Sequence, residues 1–159
     1  MAGKICETLI PIKHEYYLGK RGKEIAICTL SSIQLLEDIS RSSEIMDKIL
    51  VVGRLLSENK GIDAIIKFTL AYPELHHIII CGKEVRGHQA GQALLSLYEN
   101  GINNNNTTDS RIIIGAKGPY PLLTSSWEDI IAFRKQISRI YNLIGVDDIE
   151  QIKIQLRSN

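Results

Sequence analysis

The sequence predicts an α/β fold, a mostly parallel sheet with helices on both faces. Three observations carry that expectation. Short, continuously apolar runs recur at 24–30 (EIAICTL), 48–53 (KILVVG) and 78–81 (IIIC), as in strands buried on both faces. Segments with apolar residues at helical spacing lie between them. Each run also ends in small or polar residues, and this alternation favours parallel strands joined by crossovers over hairpins.

Taken in order, residues 1–22 carry Pro11, Gly19 and Gly22 and read as an irregular lead-in with room for one short strand. The first strand, 24–30, ends at Thr29, Leu30, Ser31 and Ser32, small polar residues that cap a helix or meet a ligand with hydroxyls and amides. Ile33, Leu36, Ile39 and Ile45 then predict a helix over 33–46, followed by the second strand at 48–53. Ser57 is the expected N-cap of a helix over 58–72, which Pro73 ends. The third strand opens at His77. After Gly82 and Gly87, a helix beginning at His88 carries Ala90, Ala93, Leu94, Leu97 and Tyr98 and stops at Asn100 and Gly101.

The run 103–108 (NNNNTT) is a polar connector unable to bury a core. Residues 111–115 (RIIIG) are the expected fourth strand, leading into a glycine- and proline-rich loop through Pro121. A last helix runs from Ser126, with Asp129 at the capping-box position, to about residue 143. Residues 147–159 read as a charged and polar tail with room for one short helix or strand, so 23–146 is the expected domain. Right-handed crossovers then gather the loops 29–32, 82–88 and 115–121 at the carboxyl edge of the sheet, where open α/β sheets bind ligands.

Composition narrows the function classes. At 159 residues and 44% hydrophobic, the chain holds one domain with a core and is too short for two. Lysine plus arginine number 19 against 18 acidic residues, a balance that argues against nucleic acid or an anionic membrane as partner. No apolar run approaches the roughly 18–20 residues of a membrane helix. The first residues lack a signal peptide's apolar core, so a soluble, cytoplasmic protein is expected. Cys6, Cys28 and Cys81 form no C-x-x-C pair and read as structural residues rather than zinc ligands.

His88 is the sharpest chemical candidate. A histidine at a helix start is commonly a capping residue. Against that, Gly87 and Gly91 flank it and remove side chains where a planar ligand would approach. Lys83, Glu84, Arg86 and Gln92 crowd the same stretch. An imidazole nitrogen is also a good axial ligand for a macrocyclic metal when its other nitrogen is hydrogen-bonded. Lys117, between Gly115-Ala116 and Gly118, suits either an anionic group or an ordinary turn. Glu58 and Asn59 either approach the same edge or only satisfy helix amides. The glycines at 82, 87 and 91 match neither G-x-G-x-x-G nor a P-loop, which disfavours a nicotinamide-dependent dehydrogenase.

The run 81–92 (CGKEVRGHQAGQ), continued by 97–102 (LYENGI), resembles the A subunit of tetrahydromethanopterin S-methyltransferase, which carries the corrinoid of a sodium-pumping complex in methanogenic archaea. The stretches 57–62 (SENKGI) and 113–118 (IIGAKG), with Pro121, resemble the same family. The resemblance implies a Rossmann-like domain that holds a cobamide, with His88 as the axial cobalt ligand. The cobalt accepts a methyl group from methyl-tetrahydromethanopterin and donates it to coenzyme M. It further implies a cofactor site drawn from Thr29, Leu30, Ser31, Ser32, Gly82, Lys83, Glu84, Gly87, Gly91, Gln92, Gly115, Ala116, Lys117, Gly118 and Pro121, with other methyltransferase subunits as partners.

Departures from the pattern set further expectations. Ser31 stands where the family has glycine, which narrows the approach of a corrin ring. Arg86 stands where other cobalamin-binding domains place a histidine-orienting aspartate. A guanidinium cannot accept the imidazole N–H, so another group must orient His88. The ending QIKIQLRSN lacks the family's apolar membrane helix, which suggests a truncated domain or a soluble homologue. The alternative function is a non-catalytic binding or interaction module with lost or altered corrinoid binding.

Overall fold

The computed structural model describes residues 15–103 and 110–159. The lead-in through His14 and most of the asparagine-rich connector lie outside them. Five strands form the main sheet: β1 (Tyr16–Leu18), β2 (Ile25–Cys28), β3 (Val51–Gly53), β4 (His77–Gly82) and β7 (Arg139–Ile144), in the order β1-β3-β2-β4-β7. All neighbours are parallel except β1, which pairs antiparallel with β3 at one edge. A separate antiparallel pair joins β5 (Arg111–Ile112) to β6 (Leu122–Leu123).

The helices are α1 (Ile33–Arg41), α2 (Ser43–Met46), α3 (Lys60–Ala71), α4 (Ala90–Asn100), α5 (Trp127–Gln136) and α6 (Ile149–Arg157). Side-chain alternation along the central strands separates two cores. Ala26, Cys28, Ile78 and Ile80 join the helical residues Ile62, Ile66, Leu94, Leu97 and Phe133 on one face. Ile27, Ile79 and Cys81 join Leu36, Ile39, Met46, Ile152 and Leu156 on the other. Both faces are thus covered, and β2 and residues 78–81 of β4 are apolar because both of their sides are buried. Among the described residues no helix is long and apolar enough to cross a membrane.

Several element boundaries differ from expectation. Residues 111–115 do not supply the fourth parallel strand. Ile113 is buried whereas Ile112 and Ile114 are exposed, which is the one-sided burial of a short antiparallel hairpin. The parallel position beside β4 is taken by β7, inside the stretch expected to continue the last helix. Helix α5 stops at Gln136, whose side-chain amide donates to the carbonyls of Thr69, Tyr72 and Leu75. The run RIYNLI then aligns six residues with β4. Its apolar spacing follows a helical period, and no glycine or proline marks the change.

Ser42 divides the expected 33–46 helix: its side chain accepts from the Ile45 amide and caps α2. Helix α3 starts two residues later than expected, with Asn59 as its N-cap and the Ser57 hydroxyl accepting from the Gly61 amide. Helix α4 likewise begins at Ala90, so His88 lies in the preceding turn. Ser126 accepts from the Asp129 amide and Gly101 closes α4, both as expected.

Asp63 of α3 ties the hairpin to the domain. Its carboxylate accepts four groups: the Thr124 amide at 3.0 Å and hydroxyl at 2.9 Å, and the Ser125 amide at 2.9 Å and hydroxyl at 2.6 Å. Burial alone would raise its proton affinity. The hydrogen bonds from Ser125 and Thr124 outweigh that effect and hold the carboxyl below its ordinary range. Stability from a lowered carboxyl is present above the unfolded value of about 4 and is lost as pH falls through the folded value. Asp63→Asn is therefore expected to lower stability by roughly 1–3 kcal/mol at neutral pH. In chemical-denaturation curves recorded across pH, the gap to wild type should shrink below about pH 4.

Candidate functional site

The strand order creates a switch point. From β2 the chain crosses to β3 on one side, and β4 then enters on the other side of β2. Loops leaving adjacent strands in opposite directions open a crevice at their carboxyl ends. Residues 29–32 and 83–89 border that crevice.

These two loops are bonded to each other. The Ser31 amide and hydroxyl both donate to the Lys83 carbonyl, at 3.0 and 2.7 Å. Ser32 Oγ accepts from the Lys83 amide at 2.8 Å. Such closeness requires glycine at 82, where a Cβ would overlap the Thr29 carbonyl oxygen. Thr29 and Leu30 are fully buried, and Leu30 holds a left-handed φ of 51° within the core. That conformation costs a non-glycine residue about 1–3 kcal/mol and persists where surrounding packing enforces it.

Glu84 organises the next turn. Its carboxylate accepts the amides of Val85, Gly91 and Gln92 at 2.8–3.0 Å. It thereby satisfies the first turn of α4, where Gln89 makes no side-chain cap. Gly91 is buried, whereas Gly87 is exposed, and a Cβ on it would meet nothing within 4 Å.

His88 stands between these residues and the hairpin. Its side chain is 52% exposed, and its Nδ1 lies 2.9 Å from Oε2 of Glu58, whose side chain is 1% exposed. The other carboxylate oxygen, Oε1, accepts the Tyr120 amide at 3.0 Å. Asn59 Nδ2 donates to the Tyr120 carbonyl at 3.1 Å. Burial would raise the Glu58 carboxyl, but its own backbone amide, the Tyr120 amide and His88 together hold it below the usual range. An ionised carboxylate only accepts hydrogen bonds, so Nδ1 carries the proton. In the neutral ring Nε2 then keeps the lone pair, and it has no protein partner among the described residues.

The 115–121 loop meets His88 through the hairpin rather than from the end of a parallel strand. Gln92 receives the Lys117 amide on Oε1 at 2.9 Å and donates through Nε2 to the Gly115 carbonyl at 2.9 Å. At Gly118 a Cβ would overlap the His88 carbonyl oxygen and sit 3.0 Å from two carbons of Glu58. Ala116 packs partly buried against the core, the Lys83 and Lys117 side chains are exposed, and the Pro121 carbonyl accepts the Ile113 amide. The orienting group that Arg86 could not provide is therefore Glu58, with Tyr120 holding its second oxygen. The sequence placed Glu58 at a helix start but contained no sign of its burial.

The family model for the A subunit of tetrahydromethanopterin S-methyltransferase matches residues 4–159. A subunit 1 of this enzyme from Methanothermobacter marburgensis is 33% identical over 147 residues, which cover 92% of this chain and 57% of the relative. The A subunit of a putative methyltransferase Mtx from Methanosarcina acetivorans is 29% identical over 150 residues, which cover 94% of this chain and 68% of the relative. A subunit 2 from Methanothermobacter thermautotrophicus is 29% identical, over 90% of this chain and 73% of the relative. The chain thus spans a little over half the length of the first of these relatives.

The geometry makes Glu58 a determinant of both stability and loop position. Glu58→Leu leaves the Tyr120 amide and His88 Nδ1 without their acceptor and should lower stability by roughly 1–3 kcal/mol in urea denaturation. Gly118→Ala should displace the 115–121 loop, visible as shifted amide resonances of residues 115–121 and 88, because the new methyl meets backbone rather than a flexible side chain.

Proposed function

This chain belongs to the family of tetrahydromethanopterin S-methyltransferase A subunits, and on that premise we propose that it is a Rossmann-like, cobamide-binding methyl carrier with His88 as the cobalt ligand. The observation that carries the proposal is the half-exposed imidazole whose Nδ1 is held by a buried carboxylate. Metal-ligating histidines characteristically have their second nitrogen engaged in this way, which sets the tautomer and raises the basicity of the free nitrogen. Among the described residues, no group of three or more histidine, cysteine, aspartate or glutamate side chains is arranged to hold a metal ion. A lone protein ligand suits a metal whose other ligands come from a macrocycle.

When bound, the cobalt supplies the centre that accepts a methyl group from methyl-tetrahydromethanopterin and donates it to coenzyme M. The protein's residues bind and orient. His88 Nε2 would hold the cobalt through its lone pair, and Glu58 would steady the positive charge that the ring gains on ligation. Gly87, beside which an added Cβ would meet nothing, would leave room for a flat ring. Ser31 turns its hydroxyl to the Lys83 carbonyl. Other subunits bring donor and acceptor, and the work is cytoplasmic.

Titration of the protein with cobalamin, followed by visible absorbance, tests this reading. Wild type should show saturable binding with a spectrum of histidine-ligated cobalt, and His88→Ala should lose that spectrum. Glu58→Gln should keep the ligand but weaken affinity about 10- to 100-fold, the usual effect of removing a ligand's supporting partner. Absence of binding by wild type would reject the carrier and leave the interaction-module reading in its place.

A further inference from the structure

A cavity of about 540 Å³ is bounded by α3 and by strands β1, β2 and β3. Its lining comes from β1, β2, β3, the segment after β3, and α3, with Leu75 and Ile78. None of the lining residues belongs to 29–32, 83–92 or 115–121, so this space is distinct from the crevice at His88. Volumes of roughly 300–1,000 Å³ are typical of small-molecule sites. The walls are mainly apolar, with Val51, Ile65, Phe68 and Ile78 among them, and the exposed Tyr16 and Leu18 stand on the rim.

Two polar groups interrupt this apolar surface. Thr69 is fully buried, yet its hydroxyl has no hydrogen-bond partner among the described residues. The Arg54 guanidinium has Nε and Nη1 buried and likewise without partners there. Leaving a buried donor unpaired is unfavourable, the more so when the group is charged. A guanidinium cannot relieve this by losing its proton. Both residues line the cavity. The remaining charged residues of the lining are Lys60 and Glu15, so the charge around Arg54 is not cancelled.

We propose that this cavity binds an amphipathic anion, an aliphatic or aromatic body carrying one carboxylate or phosphate head, with Arg54 pairing the head and Thr69 donating a hydrogen bond. The apolar body would cover the α3 face of Ile65 and Phe68 and remove it from water, at about 25 cal/mol per Å² buried. The head would make charge-assisted hydrogen bonds, the stronger class of such contacts.

The test titrates the full chain by calorimetry with decanoate, decyl phosphate, decanol and acetate. Decanoate or decyl phosphate should saturate at one molecule per chain, and the tighter of the two identifies the head group. Decanol and acetate should each bind at least about tenfold more weakly, because each lacks one half of the recognition. Arg54→Met keeps an apolar stem and should weaken the anionic probe about tenfold while leaving decanol unchanged. Ala64→Trp, which places a bulky ring in the lining, should abolish binding of all four. No saturable binding by either anionic probe, or equal binding by wild type and Arg54→Met, would overturn the proposal.

Discussion

The arrangement of this molecule turns on one buried carboxylate. Glu58 follows β3 at the entry to α3, and its side chain is withdrawn from water almost completely. A charge in that position is tolerated only if its lone pairs are filled. The donors come from its own backbone, from the Tyr120 amide and from the His88 ring. Three separate stretches, the α3 entry, the 83–89 loop and the hairpin loop, are thereby held to one point. The tautomer of His88 follows, because the only hydrogen the carboxylate can receive from that ring is on Nδ1.

Around that point the loops are packed at backbone distance. Gly82 and Gly118 stand where a methyl group would collide with carbonyl oxygens, and Glu84 satisfies the amides that begin α4. Much of the polar chemistry expected to face a ligand therefore holds loops together. Ser31, Ser32 and Gln92 bond mainly to backbone, while His88 and Gly87 face outward. These bonds leave the His88 ring projecting from loops held to one another.

The legible and illegible parts of the sequence divide along physical lines. Strands β2 and β4 were readable because burial on both faces gives continuous apolar runs, and the end of α4 and the start of α5 because Gly101 and Ser126 act locally. Strand β7 was not, because Ile137, Ile140 and Ile144 follow a helical period, and only pairing with β4 makes 139–144 a strand. The three consecutive isoleucines at 112–114 read as buried strand, yet two of them face solvent. His88 could be singled out by its glycines and its place after a central strand. Its partner could not, since a glutamate at a helix start looks like an exposed helix residue until three dimensions bury it. The lack of an acceptor at Arg86 posed that question, and only the structure answered it.

The most direct test of Glu58 as the orienting group is the protonation of the His88 ring itself. It can be read from the two imidazole nitrogen shifts by long-range nitrogen–proton NMR at neutral to mildly alkaline pH. The expected result is a ring whose neutral form carries its proton on Nδ1, and loss of that preference in Glu58→Leu. A ring protonated on Nε2 in the wild-type protein, or an Nδ1-protonated ring unchanged by Glu58→Leu, would contradict it.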